Sequence, residues 1–99
     1  MEAQTTKESI GVLSFDLIRG EYTAEEAREI LLYLLNKKIN FHEIRIISDL
    51  ERLGEINPES EIRIERLRKA RESVRSFIKQ AEGTHKLLKI TSVTQMEIA

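Results

Sequence analysis

The C-terminal stretch LLKITSVTQMEI, residues 87–98, decides the fold because it alternates between apolar and polar residues as a β-strand does. Its apolar residues of one parity are Leu88, Ile90, Met96 and Ile98. A lone strand would leave backbone N–H and C=O groups unpaired along both edges. We therefore expect this strand to pair with a copy of itself from a second chain, or with a strand of a partner protein.

The predicted protein interface consists of these tail residues together with two apolar residues of a central helix. The predicted interface residues are Leu32, Tyr33, Leu88, Ile90, Met96 and Ile98. One alternative stays open: residues 11–15 could form a short strand and pair with the tail inside the same chain. Sequence alone does not choose between pairing within the chain and pairing between chains.

Most of the remaining sequence has helical periodicity. The four predicted helices span residues 7–19, 24–36, 40–53 and 58–82. The predicted fold class is mainly α, a small domain of about four helices with a long fourth helix and a C-terminal β-strand. One domain spans residues 1–99, because a chain of this length supports a single small core.

Capping residues set the expected helix boundaries. Thr5 would cap the first helix, Thr23 the second and Asn40 the third, each with glutamate at the capping-box spacing. Gly54 would end the third helix, and Pro58 fits the first turn of the fourth. In the third helix, three apolar residues are expected to face the core. They are Ile44, Ile47 and Leu50.

The composition excludes several classes of protein. The chain has no cysteine, so it has no disulfide framework and no thiolate ligand, as expected for a cytoplasmic protein. The first seven residues lack the basic and apolar pattern of a signal peptide. The longest apolar run, residues 30–35, is too short to span a bilayer, so we expect no membrane association.

Charge is unevenly distributed and suggests an alternative function. Residues 1–57 carry 11 acidic and 7 basic residues, whereas residues 58–99 carry 6 acidic and 9 basic residues. A basic face on the fourth helix could contact nucleic-acid phosphates. Its candidate residues are Arg66, Lys69, Arg71 and Arg75. Interleaved glutamates and the lack of stacking aromatic residues favour an ordinary solvated helix face instead.

Candidate catalytic and metal-binding residues are few. Glu82 and His85 have the spacing of a metal-binding pair, but Gly83 interrupts the helix that would align them. His42 beside Glu43 is the main candidate if the chain is an enzyme. No nucleophile motif or glycine-rich phosphate loop is present, so we assign no catalytic residue, cofactor or metal ligand.

The sequence thus favours a small, non-enzymatic protein-interaction or regulatory module that forms a homodimer through its C-terminal strand, its helices or both. A partner protein at the strand and nucleic acid at the basic helix are the alternative partners.

Overall fold

The computed structural model describes residues 6–99 and contains two long helices and a three-stranded antiparallel sheet. In chain order the elements are β1 (Thr6–Ser9), β2 (Val12–Tyr22), α1 (Ala24–Leu53), α2 (Pro58–Glu82) and β3 (Leu88–Glu97). The predicted fold class, mainly α with about four helices and one strand, is therefore wrong. The N-terminal region contributes strands, and two predicted helices are one.

The first predicted helix is a β-hairpin. Gly11 takes a φ of 76° at the turn between β1 and β2, a conformation that glycine adopts without steric cost. Beyond it, residues 12–18 are rich in the β-branched and aromatic residues that favour strands. The apolar spacing that suggested a helix is instead distributed over both faces of β2. The predicted cap at Thr5 lies outside the described residues.

The second and third predicted helices form the single helix α1. No glycine or proline lies between residues 36 and 41, so nothing in the sequence forces the helix to end there. Asn40 is an interior residue of α1 rather than a cap. Glu43 forms an ion pair of 3.3 Å with Arg68 of α2 instead of completing a capping box. The capping box at Thr23 is confirmed, as is the helix end at Gly54.

The second half of the chain agrees with its predicted boundaries. Pro58 lies in the first turn of α2, and the Asn57 side chain caps that helix by accepting a hydrogen bond from the Glu59 N–H. The helix ends before Gly83. The C-terminal strand, predicted over about residues 87–98, is β3.

The pairing of β3 resolves the alternative that the sequence left open. The strand order is β1-β2-β3, so β2 is central and β3 pairs with it inside the same chain. The register runs from Tyr22 opposite Leu88 to Val12 opposite Glu97. It shifts by one residue at a bulge that contains Leu17.

Helices α1 and α2 form an antiparallel hairpin with a thin core. The buried apolar residues are Ile18, Ala27, Ile39, Ile64 and Ile78. Polar contacts along the hairpin join Arg28 to Glu82, Asn36 to Arg71 and Glu43 to Arg68. The described chain extends over 49 × 40 × 15 Å, so it is only about as thick as one helix with its side chains. A layer this thin buries few side chains on both sides.

The thin core predicts a large cost for one core truncation. Ile78 is 2% exposed at the contact of α2 with α1, so Ile78→Ala should lower the free energy of unfolding by about 2–4 kcal/mol. Ile62, on the same helix, is 52% exposed, and Ile62→Ala should cost less than about 0.5 kcal/mol. Denaturant unfolding at a fixed protein concentration measures both. Equal costs for the two variants would contradict the assignment of the core.

Candidate interaction surfaces

Many large apolar side chains are exposed in this chain. Helix α1 carries the largest group of them. Its exposed apolar residues are Tyr33, Leu34, Phe41, Ile44, Ile47, Leu50 and Leu53. The expectation that Ile44, Ile47 and Leu50 face the core is wrong, because the side of α1 that contacts α2 carries Ala27, Ile39 and His42 instead. Contiguous exposed apolar surface is typical of interaction sites.

Five α1 side chains form what we call the α1 stripe: the half-buried Ile30 and the exposed Tyr33, Leu34, Phe41 and Ile44. Their helical positions place them within about 100° of one another around the helix axis. Exposed fractions of 59% for Tyr33, 53% for Phe41 and 57% for Ile44 show that residues 6–99 leave these three side chains largely uncovered. At its sheet end the stripe continues onto Leu17 of β2.

Cationic side chains lie over the two aromatic rings of the stripe. The Lys37 Nζ atom is 5.4 Å from the centroid of the Tyr33 ring. The Arg45 guanidinium carbon is 5.6 Å from the centroid of the Phe41 ring. Cation–π contacts of this kind hold the charges beside the rings while the methylene stems add apolar surface.

A second apolar feature lies where α2 meets β3. An open groove of about 430 Å³ is lined by residues of α1, α2 and β3. Leu88 and Ile90 form its floor, and Val74 and Phe77 form part of its wall. Phe77 is 63% exposed because the groove is open to solvent.

The outer edge of β3 adjoins this groove. Because β3 is the last strand in the order β1-β2-β3, no described strand pairs with its outer edge. Towards the C-terminus, Met96 and Ile98 share the face of Leu88 and Ile90, but both are exposed.

The predicted interface residues therefore fall into separate places. Tyr33 belongs to the α1 stripe, whereas Leu32 is half-buried on another side of the helix. The four tail residues line one face of β3, at the groove or beyond it. Sequence reasoning did not assign Leu34 and Ile44 to an interface. Their spacing would have revealed the stripe if residues 24–53 had been treated as one helix.

The four candidate nucleic-acid residues do not share one face of α2. Helical geometry separates Arg66 and Lys69 from Arg71 and Arg75 by about 170°. Arg71 donates to the Asn36 side chain at 2.8 Å, between the two helices. Arg75 forms an ion pair of 2.5 Å with Glu72. Two of the four cations are thus engaged within the chain.

The candidate catalytic pair is also separated. His42 is buried between the helices, whereas Glu43 points to another side and contacts Arg68. In residues 6–99, no group of three or more potential ligand side chains could hold a metal ion. Neither α1 nor α2 has an apolar stretch that could cross a membrane. Comparisons with family models, curated proteins and solved structures found no match.

The environment of His42 predicts a specific pH dependence. Burial, with the nearby cations Lys38, Arg63 and Arg45, lowers the pKa of His42 from its ordinary 6.5. Between the pKa of His42 in the folded chain and pH 6.5, the unfolded chain therefore binds more protons than the folded chain. The stability contribution of neutral His42 is complete above that pH and falls as pH drops towards the folded pKa.

We expect the free energy of unfolding to fall between pH 7.5 and 5.5 by a component that His42→Leu removes. Unfolding curves at several pH values would measure it. His85→Asn is the control, because His85 is exposed in the turn before β3 at a φ of 58°, which asparagine tolerates better than leucine, and the component that His42 carries should remain in this variant. An unchanged slope in the His42 variant would contradict the prediction.

Proposed function

We propose that this chain is a non-enzymatic protein-interaction module that self-associates. Its elementary unit is a homodimer in which the α1 stripes of two copies pack together across a two-fold axis. The observation that carries the proposal is the exposure of this stripe over about four helical turns. Burial of such a surface against a second copy supplies the apolar core that a single thin layer lacks.

The spacing along the stripe suits a helix–helix seam. Ile30, Leu34, Lys37, Phe41 and Ile44 follow intervals of four and three residues, the repeat of closely aligned helix pairs. Two α1–α2 hairpins joined along this seam make a four-helix bundle, with α1 of each chain at the centre. A helix that is apolar on two sides suits that central position.

An antiparallel arrangement fits the charges better than a parallel one. With the two-fold axis near residue 39, Leu34 lies opposite Ile44 of the second copy and Lys37 lies opposite its Phe41. Each lysine then meets an aromatic ring. A parallel pair would place Lys37 directly beside Lys37 of the second copy, in the middle of the seam, and these like charges would repel each other.

The other hypotheses receive less support from the geometry. Nucleic-acid binding would need the four α2 cations on one surface, and they lie on two. An enzyme built on His42 and Glu43 would need both groups at one accessible site, and His42 is buried. One open pocket is lined by Thr23, Glu82 and His85, but the Thr23 hydroxyl caps α1 by accepting a hydrogen bond from the Glu26 N–H, and Glu82 is paired with Arg28.

Disruption of the stripe should reduce the native mass. Phe41→Asp and Ile44→Asp place a carboxylate in the seam, and the mass from light scattering at about 50 µM should fall at least twofold, because a desolvated unpaired charge is costly. Circular dichroism should show a retained helical fold, since both side chains are exposed within one chain.

Ile62→Asp is the matched control, because Ile62 is equally exposed but lies on α2, outside the stripe. It should keep the parent mass. A monomeric parent chain, or an Asp variant of the stripe that keeps the parent mass, would contradict the proposed dimer.

A further inference from the structure

The outer edge of β3 is long and is not paired with any described strand. β3 spans ten residues and pairs on one side only among the described strands. We propose that this edge pairs antiparallel with the β3 edge of another copy, so that two three-stranded sheets become one six-stranded sheet. This second interface is separate from the α1 stripe and goes beyond the proposed function.

The backbone direction limits how two edges can pair. The Ile98 N–H donates to the Gly11 carbonyl oxygen at 2.8 Å, so even-numbered tail residues direct their backbone groups towards β2. Because these directions alternate along a strand, the odd-numbered residues 89–97 direct theirs outward. Only registers that place odd-numbered residues opposite odd-numbered residues can form the hydrogen bonds.

One of these registers is complementary in charge and in apolar surface. With the two-fold axis at Val93, Lys89 lies opposite Glu97 of the other copy, twice per interface. On the other face, Ile90 lies opposite Met96. A shift of the axis to residue 92 or 94 separates Lys89 from Glu97, so the charge pattern selects the register.

The same register covers apolar surface that one chain leaves open. Leu88 and Ile90 form the floor of the groove beside exposed Phe77. Met96 and Ile98 of the other copy would lie next to them on the same face of the sheet. The tail side chains of each copy therefore extend the floor of the groove in the other, where α2 can contact them.

Two different two-fold interfaces on one chain produce assemblies larger than a dimer. When the two axes are perpendicular and intersect, the result is a closed tetramer. Axes that intersect at other angles can close into larger dihedral assemblies, and axes that do not intersect give an open chain. In either case, loss of one interface leaves a dimer held by the other. Each interface can therefore be tested in a background that lacks the other.

The test uses charge exchange in the Phe41→Asp chain, in which only the β3 interface would remain. Light scattering at about 50 µM should show a dimer. Adding Glu97→Lys or Lys89→Glu places like charges opposite each other twice, and the dimer should dissociate roughly tenfold more readily. An equimolar mixture of the two charge variants restores both opposite-charge pairs and should form a heterodimer.

A third variant is independent of charge. Val93→Pro removes an outward N–H at the axis without touching the bonds to β2, and it should make the Phe41→Asp chain monomeric. Because Lys89 lies opposite Glu21 within the chain, circular dichroism of Lys89→Glu tests that this variant still folds. Glu97 lies opposite the uncharged Val12 within the chain, so Glu97→Lys places no charge opposite another charge of the same chain.

The outcomes separate the two proposals. A parent chain whose mass is unchanged by Phe41→Asp but halved by Glu97→Lys would overturn the α1 dimer and support the β3 interface. In the Phe41→Asp chain, a mixture of the two charge variants that stays monomeric would overturn the β3 interface. A Val93→Pro chain that keeps the mass of its parent would do the same. Neither result depends on whether the α1 dimer exists.

Discussion

The pairing of β2 with β3 is the interaction on which the rest of the structure depends. It joins the two ends of the chain across the whole helical hairpin, with Tyr22 opposite Leu88. Tyr22 precedes α1 by two residues, and Leu88 follows α2 after a short turn. The sheet therefore holds the open ends of both helices together, and the polar contact of Arg28 with Glu82 lies at the same end.

This arrangement also explains why so much apolar surface remains exposed. The strands leave the base of the hairpin, so the sheet covers only the first turns of α1 and the last turns of α2. Further along, each helix contacts only the other helix. A molecule 15 Å thick has two outer sides and almost no interior, and its stability depends on what covers those sides. Assembly would then contribute to stability by mass action.

Sequence patterns located the second half of the chain better than the first. Local signals set the boundaries there: Gly54 ends α1, Pro58 begins α2, and apolar and polar residues alternate in β3. The hairpin was missed because the apolar residues of β2 also fit a helical spacing over residues 7–19. The break predicted at Asn40 failed because a capping box is only a local option, and the long contact with α2 favours a continuous helix. Part of the candidate surface, Tyr33 and the tail, was predictable, whereas the stripe needed the continuity of α1.

The sequence of β3 adds a further argument about its edge. Natural edge strands are blunted by proline, by a bulge or by an inward-pointing charge. β3 has no proline, its even-numbered residues 88–96 carry no charge, and the bulge lies in the central strand β2. Lysine also blunts edge strands, and β3 carries one, Lys89. Its two charges, Lys89 and Glu97, stand near opposite ends, where antiparallel pairing brings them together. The single lysine of this edge has a glutamate to pair with on a second copy, so the charges of β3 favour the proposed pairing rather than oppose it.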